Sequence, residues 1–115
     1  MIAHVVLFSP KPNLGETERR ALIEALVAAA GDIPTIKRFH VGKRVRHGMP
    51  GYEQTMRDDY EFAAIVEFEN VDGLKIYLAH PSHAVIGQHF TTSASRALAY
   101  AYAIVDAAAA GALAG

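Results

Sequence analysis

The run Tyr77-Leu78-Ala79-His80-Pro81-Ser82-His83 gathers two imidazoles and a phenol around one proline. An imidazole of ordinary pKa, near 6.5, can take a proton at neutral pH from a C–H flanked by carbonyls, and a phenol can donate to the enolate oxygen that develops. On an uninterrupted helix the six-residue spacing of Tyr77 and His83 would turn their side chains well apart, so cooperation between them needs a bend, and Pro81 breaks the helical regularity. The same residues also fit an architectural role. Pro81 suits the first position of a new helix, and the nitrogens of His80 and His83 could bond its loose backbone groups as a junction cap. Both readings of the run stay open on the sequence.

His4 stands in the otherwise apolar stretch Ile2 to Phe8. An imidazole there costs desolvation unless it is paired, so it either lines a polar cavity or is a satisfied core histidine. A metal site has little support: His80 and His83 are three apart, His89 lies six further on, and no carboxylate falls between them, which matches no familiar ligand spacing. Arg38, His40, Arg44, Arg46 and His47 form a basic strip that either holds an anionic group or is a solvated face, with Glu61, Glu67 and Glu69 as candidate cross-strand partners. There is no phosphate loop, dinucleotide fingerprint or nucleophile elbow, so no cofactor is expected.

These side chains must be positioned by a small number of elements. Residues 2 to 8 read as a strand ending near Ser9, because Pro10 and Pro12 cannot donate to a ladder. From Glu16, Leu22, Ile23, Leu26, Val27 and Ala30 recur at helical spacing, with Gly31 placed for a left-handed C-cap. Ile36 to Arg46 alternates as a half-exposed strand, and Phe62, Ala64, Val66 and Phe68 mark another. Between them residues 47 to 60 show no period and form a mobile or functional loop. Asn70 is a suitable N-cap for a second helix carrying Val71, Leu74, Tyr77 and Leu78, extended beyond Pro81 through Phe90. The last strand is expected over Leu98 to Asp106, with Leu98, Tyr100, Tyr102 and Ile104 on one face and only Ala99, Ala101, Ala103 and Val105 on the other, whose small residues would let something approach the sheet closely.

A chain of 115 residues fits one domain, here residues 1–106, followed by the Ala/Gly-rich tail 107–115, expected to be frayed. The absence of cysteine excludes disulfides, thiolate metal sites and cysteine nucleophiles. Eleven basic against twelve acidic residues, net −1, provide no electrostatic footprint for nucleic acid or an anionic membrane surface. No apolar run reaches the roughly 18 residues of a membrane span and the N-terminus lacks a signal-peptide pattern, so a cytoplasmic location is the default expectation.

The element order, strand, helix, strand, strand, helix, strand, predicts an α+β fold: the ferredoxin-like βαββαβ arrangement, a four-stranded antiparallel sheet with helices on one face. A second copy packed against the other face would make a homodimer, two sheets closing into one α/β barrel. His4 to Phe8, Ile33-Pro34, Val41-Gly42-Lys43, Phe68, the Tyr-x-x-His-Pro-x-His run and Val105-Asp106, taken in order, resemble the stress-responsive α/β-barrel (Dabb) domain over about residues 2 to 106.

That resemblance implies a dimeric barrel of ferredoxin-like protomers. The family includes stress-induced proteins and a plant polyketide cyclase in which a Tyr and a His of the motif assist an aldol-type ring closure; the wider superfamily contains cofactor-free monooxygenases. By motif position it implies Tyr77 and His83 as catalytic residues and His4 as a cavity residue; His80, within the run, and Phe62 are further candidates for substrate contact. Phe62 replaces a further cavity histidine of the cyclase, two residues after the tyrosine matching Tyr60, and makes the pocket less polar. The expected protein binds a small aromatic or polyketide-like molecule, either as a cofactor-free, cyclase-like enzyme or as a non-catalytic stress-responsive dimer; a cofactor-free monooxygenase is a further alternative.

Overall fold

The computed structural model of the chain describes residues 1–115. Its elements are β1 (Ile2–Pro10), α1 (Glu16–Asp32), β2 (Ile36–Lys43), β3 (Phe62–Phe68), α2 (Val71–Ala79), α3 (Pro81–Ser93) and β4 (Ala94–Ala103), with short 3-10 segments at Glu53–Thr55 and Ala107–Ala114. The strands form one antiparallel sheet in the order β2-β3-β1-β4. The architecture is therefore ferredoxin-like, with the second helix of the pattern divided into α2 and α3.

Cross-strand partners point to the same face, so the register of β1 defines the two sides of the sheet. His4 lies opposite Val66 and Ala101, Val6 opposite Ala64 and Ala99, and Phe8 opposite Phe62 and Ala97. This face meets the helices. Val6, Phe8, Val66 and Phe68 pack there against Leu22 and Leu26 of α1, Leu74 and Tyr77 of α2 and Ile86 of α3. The opposite face carries Val5, Leu7, Ile65, Leu98, Tyr100 and Tyr102 by the same register, and Tyr100 and Tyr102 are 59% and 53% exposed on it.

Several boundaries differ from the sequence expectations. The first helix does not end in a left-handed Gly31: it runs to Asp32, and Ile33, extended at φ −103°, closes it by donating its N–H to the Ala29 carbonyl. Pro34 disfavours helical backbone at the residue before it, and Ile33 is itself buried in the core. The inner face of α1 is also rotated from the predicted one, burying Ala25 and Ala29 while Val27 is 61% exposed. Because α1 packs along α3 as well as over the sheet, small side chains are favoured where the helices approach.

The last strand begins at Ala94 rather than Leu98 and stops at Ala103 rather than Asp106. It leaves α3 without a loop and pairs Arg96 with Ser9, and its far end is set by the start of β1, where Ala103 pairs with Ile2. The tail expected to fray forms an exposed 3-10 segment. Part of the basic strip is paired within the chain: Asp59, not among the expected partners, bonds both Arg44 (2.7 Å) and Arg46 (2.5 Å), and of the expected ones Glu67 lies opposite Arg38 in the register while Glu61 bonds Arg19 (2.6 Å). In the 47–60 loop the Glu53 carboxylate accepts from the backbone N–H groups of His47 and Gly48, and the turns at Gly48 and Gly51 need positive φ.

Candidate functional site

The run from Tyr77 to His83 is a junction between two helices. Asn70 starts α2 by accepting a hydrogen bond from the Gly73 N–H (2.9 Å), which closes a helical first turn and so fixes the phase at which Tyr77 meets the core. His80 then leaves the helix with extended backbone (φ −72°, ψ 143°) and becomes the N-cap of α3. Its Nδ1 accepts the Ser82 N–H at 3.0 Å, and its carbonyl accepts the N–H groups of His83 and Ala84. Pro81 occupies the first helical position, where its missing N–H costs nothing. The Ser82 hydroxyl donates to Asp32 and ties the start of α3 to the end of α1.

The bend brings the two side chains together. The rings of Tyr77 and His83 lie 4.8 Å apart in an edge-on arrangement, and the His4 ring lies 5.7 Å from Tyr77 on its other contact. Tyr77, 2% exposed, also packs its ring on Phe68. His4 is 7% exposed and its Nδ1 has no hydrogen-bond partner in the protein. A buried polar atom without a partner costs free energy unless a ligand or water meets it.

All three rings line one cavity of about 270 Å³ between the sheet and the helices. Val6, Leu26, Ala64, Ile86 and Phe90 make the remainder of its wall mostly apolar, and the helix-facing alanines of β4, Ala97 and Ala99, leave it open on that side. A few polar groups among apolar walls is the ordinary composition of a small-molecule pocket.

Burial sets the charge state of the site. It pulls the His83 imidazole below its usual pKa, with the Leu78 carbonyl acting in the opposite direction. Burial pulls His4 down as well, and the neighbouring His83 ring adds to the effect. The same burial pushes the Tyr77 phenol up to about 12. At neutral pH the cavity therefore presents two neutral imidazoles, each able to accept a proton, and a phenol that keeps its proton and donates.

Of the five candidate residues, the structure brings His4, Tyr77 and His83 together and leaves two outside. His80 spends its Nδ1 on the helix cap. Phe62 stacks on Phe8 (5.5 Å) and does not line the cavity; Phe8 in turn contacts Phe90, so Phe62 acts behind the wall. The cavity residues Ile86, Gly87, Phe90 and Ala97 were not identified from the sequence, and Ala99 was marked only as part of a small-residue face of the last strand. The alternating alanines of β4 were the available signal, since they mark a sheet face with room above it.

The stress-responsive A/B barrel domain model matches residues 2–104. Olivetolic acid cyclase of Cannabis sativa is 22% identical over 101 residues, which cover 88% of this chain and 94% of the cyclase. Among solved structures, hydroxynitrile lyase from Passiflora edulis superposes with a TM-score of 0.77 at 14% identity, covering 91% of this chain and 94% of the lyase. A dimeric ferredoxin-like protein from Thermobifida fusca superposes with a TM-score of 0.70 at 22% identity, covering 90% of each chain. No helix of the chain is long and apolar enough to cross a membrane.

Proposed function

This chain belongs to the stress-responsive A/B barrel domain family, and on that premise we propose that it binds a small aromatic or polyketide-like molecule in the cavity beneath α3 and acts on it without a cofactor. The observation that carries the proposal is the convergence of His83 and Tyr77, rings 4.8 Å apart, on a cavity that His4 also lines. An apolar cavity of roughly 150 Å³ accommodates a benzene ring, so about 270 Å³ suits one substituted ring or a short folded chain of that size.

In the proposed reaction, the neutral His83 imidazole takes a proton from a carbon flanked by two carbonyls, and the electron pair moves onto one carbonyl oxygen. The Tyr77 hydroxyl donates a hydrogen bond to that oxygen, while His4 holds a polar group of the ligand at the cavity floor. The enolate carbon then adds to another carbonyl of the same molecule, forming the C–C bond, and the imidazolium returns its proton to the alkoxide. Each proton position matches the neutral histidines and protonated tyrosine of the site. The similarity to olivetolic acid cyclase supports this reaction class.

The protein is proposed to work as a homodimer joined through the open sheet face. Exposed Ile65, Tyr100 and Tyr102 on that face, and the dimeric state of the Thermobifida fusca protein, support this arrangement.

The test is turnover of a linear poly-β-keto thioester by the purified protein and by His83→Ala. A decrease of at least about a hundredfold, with unchanged circular dichroism, is expected for loss of a general base. Equal turnover by the two proteins would eliminate His83 as the base. A non-catalytic dimer is the second reading, favoured by the His80 cap, which gives half of the His-Pro-Ser-His run a purely architectural use. It requires that no ligand-induced thermal shift depend on His83.

A further inference from the structure

Gly87 lies in the interior of α3, where glycine is less favourable than alanine. Nothing in its backbone calls for glycine, because its φ is not positive. Close packing does not call for it either: a Cβ built there would meet nothing within 4 Å. Gly87 does line the cavity.

The residues around that cavity separate by depth. His4, Val6, Ala64 and Tyr77 are buried and form its floor, whereas Ala97 and Ala99 on β4 are exposed and Gly87 is half-exposed. The cavity therefore opens between α3 and the alanine face of β4. On the β1 side of the same register stand Val6 and Phe8, opposite Ala99 and Ala97, so the sheet changes from large to small side chains where the opening begins. His4, 7% exposed, is the polar side chain of that floor.

We infer that Gly87 is the size-determining residue of the cavity mouth: its missing side chain admits a ring substituent between α3 and the Ala97/Ala99 edge of β4. The inference rests on the proposed cavity function for its ligand class. It assigns the hydroxyl end of a phenolic ring to His4, Tyr77 and His83 and an apolar substituent opposite it to the mouth. Larger residues at Gly87 or Ala99 then shorten the alkyl group that fits.

The test uses Gly87→Ala, Gly87→Leu and Ala99→Leu with two kinds of probe. Xenon reports on the cavity whatever its natural ligand, because xenon binds in apolar cavities and the wall here is mostly apolar. Xenon-induced shifts of the Val6 and Leu26 methyl resonances are expected in the natural protein, retained in Gly87→Ala and lost in Gly87→Leu. A series of 4-alkylphenols, followed through the His4 and His83 ring protons, tests specificity. Affinity for 4-propylphenol is expected to fall at least about tenfold in Gly87→Leu, with a smaller loss for phenol itself, as expected when a pocket rejects added methylenes.

Equal xenon and alkylphenol responses in Gly87→Leu and the natural protein would overturn the assignment, as would an absence of xenon uptake by the natural protein. If Gly87→Leu does not fold, Ala99→Leu decides the same point from the opposite wall. If xenon enters and is excluded by Gly87→Leu while no phenol binds the natural protein, the mouth stands and the proposed ligand class fails.

Discussion

His83 and Tyr77 meet edge to edge with 4.8 Å between their ring centroids, although both sit on helical segments and six residues separate them. The contact exists because His80 adopts extended backbone between the two helices, so that α3 starts in a new direction and its first turn carries His83 back over Tyr77. The helix junction and the site are therefore a single construction.

Replacing the cap tests that dependence. His80→Ala should lower stability by about 1 kcal/mol, within the roughly 0.5–2 kcal/mol range of lost N-caps, and His80→Asn should restore most of it. Urea denaturation measures both. If the junction aims His83, His80→Ala also lowers turnover of the poly-β-keto substrate and His80→Asn recovers it.

Tyr77→Phe separates packing from hydrogen bonding. The ring keeps its contacts with Phe68 and His83, so stability should change by about 1 kcal/mol or less. Turnover should fall by roughly 10²-fold if the hydroxyl stabilises a developing oxyanion. Because the phenol is pushed up to about 12, activity should show no alkaline loss from Tyr77 below about pH 11. Steady-state rates from pH 6 to 10 check this.

Acidification should weaken the fold through His4 and His83. Both are held below their unfolded value, so the folded state disfavours their charged forms. Their contribution is fully present above the unfolded pKa of about 6.5 and is lost as pH falls below it toward the lowered folded values. Thermal midpoints measured from pH 8 to 5 should decline more steeply in the natural protein than in a His4→Gln/His83→Gln double variant.

Charge on the open sheet face should dissociate the proposed dimer. Ile65→Lys combined with Tyr100→Lys places two like charges per protomer on exposed apolar positions without entering the core. Sedimentation should then show a monomer with an unchanged circular dichroism spectrum; persistence of a dimer would move the interface elsewhere.

Elements with strong local signals were legible in the sequence. Strand β1 was legible from its apolar run, although it extends through Pro10, paired with Ala94, rather than ending near Ser9; Asn70 announced α2 and Pro81 announced α3, because each acts through its own backbone or the next turn. The strand–helix order then determined the ferredoxin-like sheet. What the sequence left undecided involved two distant segments. Val27 has the hydropathy of a core residue but faces solvent, since the position of α3 selects which side of α1 is covered. The start of β4 was missed because pairing with Ser9 and Pro10, not local periodicity, begins it.

The same division holds for the site. The residue types and the proline between them determined that His83 and Tyr77 were candidates, and an imidazole in an apolar strand made His4 one. Only the tertiary structure decided which imidazole faces the cavity and which caps a helix. His80 and His83 are chemically identical and three residues apart, but the bend turns one Nδ1 onto the Ser82 N–H and the other ring onto Tyr77. Cavity volume was likewise illegible, because it is the space remaining when α3 is set above alanines of a strand brought beside β1 by sheet pairing.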